Sequence, residues 1–119
     1  NLNSDRPIFI QIVERIEMDI ISGKYKPGDK LPSVRDLAAE AAVNPNTMQK
    51  AFTELERTGL VFSQRTTGRF ITEDTSMIDE LKSTLAKDKI TELLSFMQQL
   101  GFQENEILAM IGQTMKGEK

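Results

Sequence analysis

The sequence predicts a mainly α fold with one small β-hairpin, three helices ahead of the hairpin and a helical tail behind it. Three features carry this reading. Ile8, Ile12, Ile16 and Ile20 recur every four residues, the stripe of an amphipathic helix. Leu31-Pro32-Ser33 and Asn44-Pro45 are two helix-start signals, set one short helix and one turn apart. Two short apolar segments then flank Arg65-Thr66-Thr67-Gly68, whose glycine marks the end of a hairpin tip.

The first helix is expected over about 7–22, with Asp5 as N-cap, Pro7 in the first turn and Gly23 as terminator. Val13 and Ile21 widen its apolar stripe. Tyr25, Pro27 and Gly28 then form an irregular connection. Ser33 caps the second helix, Asp36 completes a short capping box, and Leu37, Ala38 and Ala41 are its buried side. Asn44 caps the third helix, Pro45 takes its first position and Gly59 stops it. Met48, Ala51, Phe52 and Leu55 face the core, whereas Thr47, Gln49, Lys50, Glu54 and Arg57 point elsewhere. Residues 60–63 and 69–72 read as strands. Asp74-Thr75-Ser76 marks a boundary. Beyond it Met77, Leu81, Leu85, Ile90, Leu93, Leu94, Met97 and Leu100 form a long helical stripe closed by Gly101. A last helix carries Ile107, Leu108, Ile111 and Met115, with Glu104 and Glu106 at the positive end of its dipole. This order describes a winged helix-turn-helix domain over 1–75 and a C-terminal helical dimerisation region over 76–119.

Composition narrows the function classes. A chain of 119 residues buries one modest core with a small appendage. It has no cysteine and no histidine, which removes thiol chemistry and the commonest general base and zinc ligand. The carboxylates are scattered over helix faces, so neither an enzyme nor a bound cofactor or metal is expected. No apolar run reaches the length of a membrane span and no charged-then-apolar leader precedes the first helix, so the expected location is cytoplasmic. The net charge of -3 gives no support for nucleic acid, because residues 1–75 carry ten Lys and Arg against eleven Asp and Glu. Distribution matters more. Lys24, Lys26, Lys30 and Arg35 fall in one stretch and Lys50, Arg65 and Arg69 in another, so a local basic surface is expected on an acidic protein.

A helix-turn-helix inserts the start of its third helix into the major groove. Here that start offers Asn44, Asn46, Thr47, Gln49 and Lys50: amides that pair with adenine, a hydroxyl, and an ammonium for guanine or phosphate. Asn44 and Ser33 act first as helix caps. Tyr25, Phe52, Phe62 and Phe70 are expected in the core rather than as stacking platforms.

The run Leu31-Pro32-Ser33-x-Arg35-x-Leu37-Ala38, then Asn44-Pro45-Asn46-Thr47-x-x-x-Ala51-Phe52-x-x-Leu55-Glu56-x-x-Gly59-Leu60, resembles the DNA-binding domain of GntR-type regulators. The opening Asp5-x-Pro7-Ile8-Phe9-x-Gln11-Ile12 and the wing Thr67-Gly68-Arg69 fit the same pattern, so the resemblance covers residues 5–73. The short tail resembles the YtrA subfamily, whose members end in a small helical dimerisation region. The resemblance implies a homodimeric repressor on a pseudo-palindromic duplex DNA operator. It implies a DNA contact for Arg35, contacts for Asn46 and Thr47 at the start of the recognition helix, and a wing tip near Gly68 approaching the minor groove. Many members carry arginine where this chain has Pro45 and Gln49, so their base preferences do not transfer. The candidate DNA-binding set is Ser33, Arg35, Asn44, Asn46, Thr47, Gln49, Lys50, Arg65, Thr67, Gly68 and Arg69. The candidate pairing set is Leu81, Leu85, Ile90, Leu93, Leu94, Met97, Leu100, Ile107, Leu108 and Ile111, too much apolar surface for a small winged domain to cover. Two other readings fit the sequence: a winged helix serving as a protein-interaction module, and a small-molecule-sensing repressor with its ligand at the tail or dimer interface. No residue pattern names an effector.

Overall fold

The computed structural model describes residues 6–117, so the Asp5 cap expected from the sequence lies outside the described residues. Helix α1 spans Ile8–Ile21, with Pro7 as its N-cap in an extended conformation (φ -54°, ψ 136°) rather than inside the first turn. Ile12, Val13, Ile16 and Ile20 are buried, whereas Ile8 is 45% exposed in the opening turn, so the packed stripe begins at Ile12. Gln11 is buried as well, and its amide donates to the Arg6 carbonyl at 3.0 Å. Helix α2 spans Val34–Ala41 and helix α3 spans Pro45–Thr58. Leu37 and Ala38 are buried, but Ala41 is exposed: it borders an open cleft between α1 and α2 whose walls include Ile12, Ile16 and Met48.

The turn between α2 and α3 is closed by Ala42 in the left-handed conformation (φ 56°, ψ 45°). The Ala42 N–H donates to Ala39 at 3.2 Å and the Val43 N–H to Ala38 at 3.0 Å, which satisfies carbonyls the helix end would otherwise leave open.

Strands β1 (Val61–Gln64) and β2 (Gly68–Ile71) pair antiparallel, with Val61 opposite Ile71, Phe62 opposite Phe70, Ser63 opposite Arg69 and Gln64 opposite Gly68. The hairpin is offset by one residue from the expected strands. Thr66 adopts a positive φ of 65°, so the chain reverses within Arg65, Thr66 and Thr67, and Gly68 joins the ladder. The segment expected to be an irregular connection also pairs with β2. Lys30 bridges to Phe70, and Gly28 N–H donates to the Ile71 carbonyl at 3.0 Å. This third edge carries Pro, Gly, Asp and Lys with no alternation of apolar residues, so only the tertiary partner reveals it. Phe52, Met48, Leu55, Ile71 and Val61, from α3 and the hairpin, are the largest of the fully buried side chains.

Helix α4 runs unbroken over Thr75–Gln99, and α5 spans Glu104–Met115. The Asp74 carboxylate accepts the N–H of Ser76 at 3.1 Å and of Met77 at 3.3 Å at the start of α4. A hydrogen bond from the Ser76 hydroxyl and the backbone bond from Met77 hold the Asp74 carboxyl below its ordinary value. In α5, Gln103 and Glu106 form a capping box, with the Gln103 N–H donating to Glu106 Oε1 at 2.8 Å. The chain divides into two compact units, Asn1–Glu80 and Leu81–Lys119, so the division falls within α4 rather than at Asp74-Thr75-Ser76. The start of α4 belongs to the first unit: a Cβ at Gly59 would lie 3.3 Å from Met77 Cε. In the second unit only Met97 and Ile107 are buried among the described residues. No helix is long and apolar enough to cross a membrane among the described residues.

Candidate nucleic-acid interface

The polar starts of α2 and α3 follow directly from their caps. Ser33 Oγ accepts the Asp36 N–H at 3.0 Å, which fixes the first turn of α2 and presents Arg35 one position inside it. Arg35 is exposed, and its side chain has no ion pair or hydrogen bond among the described residues. At α3 the Asn44 Oδ1 accepts the Asn46 N–H at 2.7 Å, so that oxygen is committed to the cap. Asn46 and Lys50 are exposed, and Thr47 and Gln49 are half-buried. The Gln49 amide donates to Thr53 Oγ1 at 3.4 Å, and the Thr53 hydroxyl donates to the Gln49 carbonyl at 3.0 Å. Lys50 turns toward α1, its Nζ 4.3 Å from the centre of the Phe9 ring.

Arg65, Thr66, Thr67 and Gly68 are exposed at the wing, but Arg69 is turned inward. Its Nε lies 3.0 Å from Glu56 Oε1, and its guanidinium lies 5.1 Å from the centre of the Phe52 ring. The Ser63 hydroxyl donates to the other oxygen of Glu56. Burial works against ionisation of Glu56, yet the bonds from Ser63 and Arg69, with the charge of Arg69, hold its carboxyl below the ordinary range. This arrangement ties the hairpin to α3.

An open groove between the start of α2, the wing and α3 has Ser33, Arg35, Gln49, Thr67, Gly68 and Arg69 on its walls. Six of the residues expected from the sequence are therefore gathered in one place. Asn44, Asn46, Thr47, Lys50 and Arg65 lie outside that lining. Lys30 and Arg35 contribute unpaired cations to the groove, Arg69 one that is paired with Glu56, and Asp36 the single carboxylate of its lining among the described residues. Acidic groups collect elsewhere. Burial, then the charges of Glu14 and Glu54, raise the carboxyl of Glu17 above its ordinary value, a sign of carboxylates gathered along α1 and α3. A net negative chain thus keeps a cationic groove. Two residues of this region were missed as site residues in the sequence. Lys30 was visible only as part of a basic stretch, and Glu56 only as a position of the family motif, because the partner that gives it a role, Arg69, lies thirteen positions away.

Residues 10–71 match the family described as bacterial regulatory proteins, gntR family. Over 105 residues the chain is 40% identical to YhcF of Bacillus subtilis, an uncharacterized HTH-type transcriptional regulator, covering 88% of this chain and 87% of that protein. It is 41% identical over 97 residues to YtrA of the same organism, an HTH-type transcriptional repressor, covering 82% and 70%. The solved structure of a GntR family transcriptional regulator from Listeria monocytogenes superposes with a TM-score of 0.88 at 39% identity, covering 94% of this chain and 98% of that one. These matches run past the winged domain, so the similarity includes the helical tail. The winged helix-turn-helix, its capped recognition helix and this extended similarity together mean that the chain belongs to the GntR family of bacterial regulatory proteins, beside the YtrA-type members.

Proposed function

We infer that this chain is a DNA-binding transcription regulator that acts in the cytoplasm as a homodimeric repressor on a pseudo-palindromic operator. One observation carries the DNA-binding reading: the start of α2, α3 and the wing line a single cationic groove, beside the exposed start of the recognition helix. In a helix-turn-helix these groups serve different ends. Arg35 and backbone amides at a helix start suit phosphates, and Asn46, Thr47 and Gln49 suit base edges.

The tail supports the dimer. Ile90, Leu93, Leu94, Phe96, Leu100, Leu108 and Met110 are exposed on α4 and α5, an apolar surface that single soluble domains seldom leave to water. Burying a leucine stabilises by roughly 1.5–3 kcal/mol, so several such contacts offset the entropy of association. A second copy presents the same face, as a twofold interface requires. Selection of bound duplexes from a random DNA pool tests the whole reading. The expected result is a short sequence repeated in inverted orientation. Recovery of no duplex at low salt overturns it, and recovery of unpaired single sites overturns the dimeric part.

A further inference from the structure

We propose that Lys30 is a DNA-phosphate contact of the wing, seated by the absence of a side chain at Gly68; this rests on the DNA-binding reading above. Lys30 stands opposite Phe70 on the outer edge of β2, held by two bonds. Leu31 N–H donates to the Arg69 carbonyl and Ile71 N–H to the Asp29 carbonyl, both at 2.8 Å. Residues two apart on a strand share a face, so Gly68 lies on the same face as Phe70, diagonally across from Lys30. A long side chain spans that diagonal. A Cβ at Gly68 would lie 2.9 Å from Lys30 Cε and 3.7 Å from Nζ, so the lysine stem crosses the bare glycine and carries its ammonium along the wing toward the tip. Any side chain at position 68 would push the stem away.

The charges around the wing divide the cations by role. Arg69 is neutralised by Glu56 and stacked over Phe52. Lys30 is exposed and forms no ion pair among the described residues, so it meets a phosphate without first breaking an internal one. It lines the same groove as Ser33 and Arg35 at the start of α2. Lys30 stands on the wing and not on the helix that enters the major groove, so its ammonium is placed for a phosphate oxygen rather than for the guanine acceptors that a lysine can also reach. The sequence-reading role of this region therefore falls to other side chains, and Lys30 adds affinity without preference.

The test uses the full chain and the operator recovered by selection. Lys30→Met keeps the stem over Gly68 and removes only the charge. Its expected effect is a roughly three- to tenfold loss of affinity, alike for operator and single-base variants. The slope of log affinity against log salt should also become shallower by about 0.9 per protomer bound. Lys30→Arg should restore both. An unchanged salt slope in Lys30→Met, with the protein folded by circular dichroism, overturns the assignment. A loss confined to particular base pairs overturns it too. A wild-type chain that binds no duplex overturns the DNA-binding reading instead, so the two failures are separable.

Discussion

Arg35 and Arg69 look equivalent in a motif, yet their surroundings are opposite. Arg35 is exposed beside the Ser33 cap with no internal partner among the described residues, whereas Arg69 is held by Glu56 over the Phe52 ring. We expect Arg35→Ala to weaken operator binding by about 1–3 kcal/mol while melting temperature and dimerisation stay as in wild type. Titration beside wild type in the same salt checks this, and equal affinities would remove Arg35 from the interface. Glu56 gives a stability prediction instead. Its carboxyl is held below the ordinary 4.5, so its ion pair stabilises the fold above that value and is lost as pH falls through the depressed one. Glu56→Gln should therefore cost about 0.5–1 kcal/mol at neutral pH. The gap between variant and wild type in thermal melts should shrink as pH falls below 4.5 and close once it has passed through the depressed value. A gap that is constant from pH 7 to 3 would show that the charge plays no part. The exposed place of Arg35 just after the Ser33 cap was legible in the sequence because its motif is contiguous. The inward turn of Arg69 was not, because the partner that decides it is distant in the chain.

Among the elements, those with local signals were read most accurately. The start of α2 at Ser33 and of α3 at Asn44, and the end of α3 at Gly59, depend on residues within one turn, and each cap lies where expected. Ala42 carried no such signal. It occupies a left-handed position that glycine enters freely, because alanine retains a Cβ that crowds the following carbonyl. Ala42→Gly should stabilise the fold by about 0.5–1 kcal/mol. The measurement is denaturant unfolding at fixed pH; a midpoint that falls would mean that the methyl group makes a contact worth more than the strain. The hairpin was legible to within one residue, its offset set by the positive φ of Thr66. The edge at Gly28 to Leu31 was not legible at all. So short a pairing, three backbone bonds in all, has no periodicity, and it exists because β2 has a free side to accept it.

At the scale of the whole molecule, the exposed Ile90, Leu93, Leu94, Leu100 and Leu108 of the tail were legible as part of its stripe, while Phe96 and Met110, which stand at equally regular spacings, were passed over, and Met97 and Ile107, read with the same set, are buried within their own unit. Leu93, exposed at 43%, lies near the middle of that surface. Under the proposed pairing, Leu93→Asp buries an unpaired carboxylate at a cost of several kcal/mol. The variant should be a folded monomer by sedimentation, and full-operator affinity should fall sharply while a single half-site is still held weakly. A variant that remains dimeric, or a wild type that is monomeric at micromolar concentration, would refute the pairing. Under the proposed pairing, the same bare surface on α4 and α5 would also set how the regulator responds to its own abundance. If two copies must meet before either grips the operator firmly, then below the association midpoint the active species grows with the square of the protomer concentration. Halving the supply of the chain would quarter the dimer, so release of the operator becomes a threshold set by synthesis and dilution.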